Sequence, residues 1–328
     1  MTEEEFVVAV DVGGTLTKIA YADPAGSLTG SARLTTQLAE GGAGLVTWLA
    51  ATIRRWVDQR PDARCRGYGV VAPGIVDATS GTVRTAANVH WVDVPLRDLL
   101  TELTGLPGVV AHDVRSAGLA EWRLGSGRGA RNLLFLSLGT GVAGAMVVDG
   151  RMLEAGGYAG EIGHTRVHVA GDERCACGLV GCLETLASAA GVVRTYARLV
   201  TSADSTGSAE RLEAHRVADR ARSGEPNAQL AFGLVAAALT EALPNYVTLL
   251  GPELIVIGGG LSGAADLFVP QVVDAMSAAM SFQRRPRIVT ATLGADAGVI
   301  GAGLVGWDRM LDGISSTTIE PPYGRGGN

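Results

Sequence analysis

One unit of sequence occurs twice in this chain, and the repetition limits the possible folds more than any other feature. Residues 6–10 are a short valine-rich run that ends in Asp11-Val12-Gly13-Gly14-Thr15. A second apolar run, 16–22, follows at once, and the turn Asp23-Pro24-Ala25-Gly26 leads into a third run near 27–34. From residue 133 the order returns: an apolar run to Leu136, then Ser137-Leu138-Gly139-Thr140-Gly141, a run to Val148, and the turn Asp149-Gly150. Laid over each other without a gap, Asp11 falls on Ser137, Gly13 on Gly139, Gly14 on Thr140 and Asp23 on Asp149. Short β-branched runs separated by Gly, Pro and Asp read as strands joined by tight turns, so each copy predicts an antiparallel meander. Two meanders facing each other would aim both glycine turns into one cleft; two unrelated glycine-rich hairpins are the plainer alternative.

The rest of the chain alternates helix and strand. Leu45, Trp48, Leu49, Ile53 and Trp56 give 44–57 a helical period, and a strand near 68–71 is broken by Pro73-Gly74. The run 109–111 precedes a helical pattern over 114–124. Helices are predicted over 189–200, 209–222 and 227–250, with Pro244 kinking the last because it lacks a backbone donor. A strand at 254–257 ends in Gly258-Gly259-Gly260, followed by a helix (267–280), a strand (287–291) and a helix (299–311). The tail 313–328 is expected to fray.

Composition narrows the class. At 47% hydrophobic the chain can build a core, and its 46 glycines follow no three-residue period, which excludes collagen. A net charge of -6 argues against nucleic acid as a partner. Mean hydropathy is +0.24, yet no apolar run reaches the roughly 18 residues of a spanning helix. The acidic start MTEEEF is unlike a secretion signal, so a cytoplasmic protein with no membrane partner is expected.

Four groups of residues carry chemistry. Asp11, Gly13, Gly14, Thr15 and Lys18, the only lysine, suit a phosphate site: backbone N–H groups approach an anion closely at glycine, and Asp11 can hold Mg²⁺ beside it. The turn Gly139-Thr140-Gly141 would supply a second cradle, and Gly258, Gly259 and Gly260 could admit a flat base or ribose. A plain hairpin turn is the alternative for each. Cys175, Cys177 and Cys182 lie in one short loop, where three thiolates can share a zinc ion. His164 is the preferred fourth ligand over His168, and four protein ligands would make the ion structural; reduced thiols are the alternative. Asp113 follows a strand and opens a helix, where a carboxylate either caps the helix or takes a proton from an attacking hydroxyl. Glu161 and Glu184 flank the cysteine loop and suit recognition of sugar hydroxyls, and Asn88 lies in a polar loop.

Together, Asp11-x-Gly-Gly-Thr-x-x-Lys18, Pro73-Gly74-Ile75-Val76-Asp77, Leu138-Gly-Thr-Gly-Val142, Gly160-Glu-Ile-Gly-His164, Cys175-x-Cys-Gly-x-x-Gly-Cys182-Leu-Glu184 and Ile257-Gly-Gly-Gly260 resemble the ROK family of bacterial sugar kinases, especially its glucokinases. The resemblance implies an actin/hexokinase-like α/β fold, a duplicated ribonuclease-H-like sheet in two domains closing on ATP and sugar. Residues 1–112 with about 299–318 would form the smaller domain and 113–298 the larger, with a zinc loop over 164–184 and a flexible tail from 319. It makes Asp113 the catalytic base for transfer to a hexose primary hydroxyl. Gly74, Asn88, His112, Glu161, His164 and Glu184 become sugar contacts, and a homodimer is implied. His112 stands where the family usually has an Asn against a sugar hydroxyl. That departure keeps a C7 cyclitol or an N-acetylhexosamine open beside glucose. Family repressors carry an N-terminal DNA-binding segment, for which five residues before the first strand leave no room; a sugar sensor without turnover is the competing class.

Overall fold

The computed structural model describes residues 4–38, 41–201 and 212–312. The first predicted meander is β1 (Glu5–Val12), β2 (Leu16–Ala22) and β3 (Leu28–Thr35), antiparallel throughout. After helix α1 (Gly41–Asp58), β4 (Arg64–Ala72) returns parallel to β1. A small antiparallel sheet follows, formed by β5 (Ile75–Asp77), β6 (Thr82–Ala86) and β7 (Trp91–Val94). Helix α2 (Leu96–Thr104) then leads to β8 (Gly108–His112), parallel to β4. These strands of three to five residues are partly exposed, and neither they nor α2 was expected from the sequence pattern.

Helix α3 (Asp113–Arg123) opens the second half, and β9 (Leu133–Leu138), β10 (Val142–Val148) and β11 (Arg151–Met152) form the second meander. Then come α4 (Glu184–Ala187), α5 (Ala189–Thr201), α6 (Ala214–Arg222), α7 (Pro226–Leu250), β12 (Leu254–Gly258), α8 (Val269–Ala279), β13 (Arg287–Thr290) and α9 (Ala297–Asp312). The five-stranded sheets have orders β3-β2-β1-β4-β8 and β11-β10-β9-β12-β13. In each, two further strands run parallel to the first strand of the meander. One wiring used twice is the duplicated arrangement of the actin/hexokinase-like fold.

The duplication corrects the gapless alignment. Val12 pairs with Thr17, but Leu138 pairs with Val142, so the first turn spans 13–16 and the second only 139–141. Gly13 N–H closes onto Leu16 O, whereas Gly139 N–H closes onto Gly141 O. Beyond the turn the copies are therefore offset by one residue, and Asp23 does not overlie Asp149. Two helix limits also move: 260–267 is a 3₁₀ segment and α8 begins at Val269, while α6 begins at Ala214. The expected start of α6 at 209 and the tail lie outside the described residues.

The central strands of each sheet are buried on both faces, as near-continuous apolar strands require. Val8, Val10, Tyr68 and Val70 face Leu45, Leu49, Ile53, Leu96 and Leu100 of α1 and α2. On the other face, Val7, Ala9, Ala20 and Val71 pack on Val299, Ala302 and Trp307 of α9. In the second sheet Leu134 and Leu136 join the core built with α5 and α7, while Leu133 and Phe135 meet Val114, Ala117 and Trp122 of α3. Leu119 and Ala120 of α3 touch Leu304 of α9. The two helices thus lie together between the sheets.

Helix α7 runs unbroken through Pro244. Contrary to the sequence expectation, it is long and apolar enough to cross a membrane by length and composition, the one such helix among the described residues. With 56% of its most apolar window buried inside the protein, it is the central helix of the second core.

Candidate active site

The strand ends of both halves converge on one cavity of about 330 Å³. Asp11 near the end of β1 and Ser137 near the end of β9, the two residues matched by the internal repeat, both line it. Asp113 at the start of α3, Gly258, Gly259 and Gly260 after β12, and Gly298 at the start of α9 complete the floor. Gly259 has φ +78°, and a Cβ there would lie 2.5 Å from the Leu138 carbonyl carbon, so the chain can bend into the cavity only at glycine.

Asp113 and Asp11 are both perturbed in this cavity. Asp113 Oδ1 accepts the Val114 N–H at 2.6 Å. Burial, and then the neighbouring Asp11 and Glu161 carboxylates, push its pKa up to about 7. Asp11 is raised as well, mainly by burial, with Lys18 opposing. The Lys18 Nζ stands 3.7 Å from Asp11 Oδ2 and also donates to the Ala295 carbonyl. Lys18, expected on a phosphate, here ties β2 to the segment that leads into α9.

Neither glycine turn lines the cavity itself; the residues just before them do. Thr15 and Thr140 are exposed, and the Gly13 carbonyl is held by Thr36 Oγ1 at 2.7 Å. Asn88 lies beside the first turn, since a Cβ on Gly14 would be 3.2 Å from its carbonyl oxygen. Gly74 has φ +88°, and its missing Cβ would overlap Thr85 O, so the corner from β4 into β5 requires it.

His164, Cys175, Cys177 and Cys182 converge as expected, with all four ligand atoms within 4.8 Å of one another. The Cys177 and Cys182 sulfurs are 3.7 Å apart, and Cys175 Sγ is 3.7 Å from His164 Nδ1. A tetrahedral ion with Zn–S near 2.3 Å and Zn–N near 2.0 Å has edges of about 3.5–3.8 Å, so the donor set and these two spacings fit zinc. His168 is fully exposed, faces Glu241 and takes no part. Burial and the adjacent thiols push Cys182 up, a tendency that a bound cation reverses.

Two acids lie against this knot. Glu161 Oε2 is 3.9 Å from His164 Nε2, and burial raises its carboxyl. Glu184 Oε2 accepts the Val142 N–H at 2.8 Å, and Oε1 accepts the Cys175 thiol at 3.7 Å. Glu184 therefore joins the cysteine loop to the second glycine turn. Asp113 feels both Asp11 and Glu161, which places it between the cavity and the knot.

Two structural residues here were not anticipated. Arg115, buried on α3, donates from Nη1 to the Gly157 and Ala159 carbonyls and from Nη2 to Val76 O, all at 3.0 Å. It fastens β5 to the loop that carries Glu161. Glu121, fully buried, accepts Ser126 N–H at 2.9 Å and Leu293 N–H at 2.7 Å, bracing the chain near the cavity. Charged residues on the buried face of an otherwise apolar helix are the only signal that could have revealed them. His112 lies beside them at the start of α3. Its imidazole is 4% exposed, Nδ1 accepts the Arg115 N–H at 3.2 Å, and Nε2 faces Asp113 Oδ1, so both nitrogens turn toward protein.

The ROK family model matches residues 7–306. The chain belongs to the ROK family. Among curated relatives of this ROK protein is the glucokinase of Halalkalibacterium halodurans, 37% identical over 315 residues, covering 92% of this chain and 94% of the relative. The glucokinase of Thermotoga maritima is 32% identical, covering 93% and 98%. Among solved structures, a ROK family glucokinase from Streptomyces griseus in complex with glucose and AMPPNP superposes with a TM-score of 0.78 at 28% identity, covering 92% of this chain and 99% of that one.

Proposed function

We propose that this ROK protein is an ATP-dependent hexose kinase that transfers the γ-phosphoryl group to the primary hydroxyl of glucose. The observation that carries the reading is Asp113: a recessed carboxyl with a pKa near 7, in the same cavity as Asp11 and flanked by Glu161. Such an acid can take a proton from an alcohol as it attacks phosphorus.

In this reading ATP lies in the cavity, with its base and ribose against Gly258, Gly259 and Gly260. Its phosphates lie toward Gly13, Gly14, Thr15 and Lys18 on one side and Gly139, Thr140 and Gly141 on the other. Asp11 would hold Mg²⁺, which supplies charge neutralisation on the transferring phosphate. Gly74, Asn88, Glu161, His164 and Glu184 would face the sugar. His164 with the three cysteines would hold a structural zinc that fixes Glu161 and Glu184. Residues 1–112 with the segment from about 299, and residues 113–298, would be the two closing domains; a cytoplasmic homodimer goes with this reading.

An ADP-release screen over glucose, mannose, N-acetylated hexosamines and C7 cyclitols tests it. Glucose is expected to give the highest kcat/KM. A cyclitol or hexosamine preferred by tenfold or more would reassign the acceptor, and absence of turnover with every acceptor would leave a sugar-binding sensor instead.

A further inference from the structure

We propose that a second cavity, on the other face of α3 from Asp113, is a binding site for a sugar phosphate. No residue of this cavity lines the one that holds Asp11 and Asp113, so the site lies outside the kinase reading.

The helical period divides the side chains of α3 between two spaces. Asp113, Val114 and Ala117 line the first cavity, whereas Arg115, Ser116, Leu119 and Trp122 line a second of about 380 Å³. Steps of three and four residues keep this second set on one helix face. The opposite walls come from α9 and from the chain around β11, through Val305, Asp308, Arg151, Met152 and Glu154. Its volume falls within the roughly 300–1,000 Å³ of small-molecule sites. A Cβ on Gly301 of α9 would lie 2.1 Å from the Ser116 carbonyl oxygen, so the two helices touch backbone to backbone beside this space. An occupant would therefore contact both helices that lie between the sheets.

The polar groups on these walls select the ligand. Ser116 is 2% exposed, and its hydroxyl makes no hydrogen bond among the described residues. Yet no side-chain nitrogen or oxygen sealed from solvent lacks a partner there, so this hydroxyl opens onto the cavity it lines. Arg115 spends three of its five N–H groups on the Val76, Gly157 and Ala159 carbonyls. Its charge has no ion pair among the described residues; Glu154, Glu161 and Asp113 act on it only through space. Arg151 at the exposed rim has neither an ion pair nor a hydrogen bond among them, whereas Arg123 is paired with Asp308 at 2.8 Å. Two arginines without ion pairs and a free hydroxyl suit an oxyanion. Glu154 adds an acceptor for hydroxyl groups, and Leu119, Trp122 and Met152 add an apolar wall for a C–H face. A phosphate monoester on a polyol uses all three kinds of contact.

Calorimetry on the full-length chain tests this, with glucose and AMPPNP saturating so that the first cavity is filled. Glucose 6-phosphate and inorganic phosphate are the probes. Glucose 6-phosphate is expected to bind at one further site. Arg151→Glu should weaken it about tenfold or more, and Ser116→Ala about threefold or more. Glu154→Gln should weaken glucose 6-phosphate about threefold but leave inorganic phosphate unchanged. Glucose affinity should stay within about twofold of wild type in all three, since none of these residues lines the first cavity. No binding of glucose 6-phosphate to the saturated protein, or equal affinity in wild type and Arg151→Glu, overturns the proposal. Inorganic phosphate bound as tightly as the sugar phosphate overturns it too, because the polyol would then add nothing. Should Ser116→Ala fail to fold, Arg151→Glu at the exposed rim decides alone. Protein that bound no glucose would sink the kinase reading, while the same variants would still decide the second site.

Discussion

Asp113 shows how one side chain can be placed against its own preference for water. Its pKa of about 7 means that, between the usual carboxylate range and pH 7, the folded protein holds a proton that the unfolded chain has released. Stability from this group therefore falls as pH rises through that window and levels off above it. In nucleotide- and metal-free protein, Asp113→Asn is expected to melt several degrees above wild type at pH 8, with the gap closing as pH falls toward 4. Melting curves across that range check this, and a gap that does not change with pH would contradict the assigned burial. The position of Asp113 was legible in the sequence because a carboxylate between an apolar run and a helical period marks a helix start. Its electrostatics were not, since Asp11, Glu161 and Arg115 act through space. The same holds for Lys18, whose partners Asp11 and Ala295 come together only in the folded chain.

At the scale of elements, local chemistry was the most readable part. Apolar runs and turn residues marked both meanders, and the cysteine spacing marked a knot whose four donors lie within 4.8 Å of one another. What stayed hidden was whatever lacks a period: β5 to β7 are too short to show alternation, and the one-residue step in the repeat depends on how each turn closes. Glu184 follows Cys182 by two residues and holds the Val142 N–H, which gives metal loss a reach beyond the loop. Cys177→Ser is expected to carry no zinc by elemental analysis and to raise KM for glucose about tenfold or more. KM for ATP should rise with it, because the Val142 end of the second turn loses its anchor. Native protein that binds no zinc would contradict the assignment, and an unchanged KM for ATP would contradict the link.

Across the whole molecule, one five-stranded wiring is used twice, and α3 and α9 lie together between the sheets. That arrangement brings the ends of β1, β8, β9 and β12 to one cavity, where Asp11, Asp113, Ser137 and the glycine bend meet. The repeat made this convergence foreseeable, while the return of α9 onto the first sheet depended on long-range packing that no local pattern encodes. The account as a whole depends on Asp113 serving as the proton acceptor at that meeting point. Turnover of Asp113→Asn at saturating glucose and ATP, with glucose affinity measured by calorimetry, tests it most directly. The prediction is a loss of about a thousandfold in kcat with glucose affinity within a few-fold of wild type; turnover within a few-fold of wild type would contradict it.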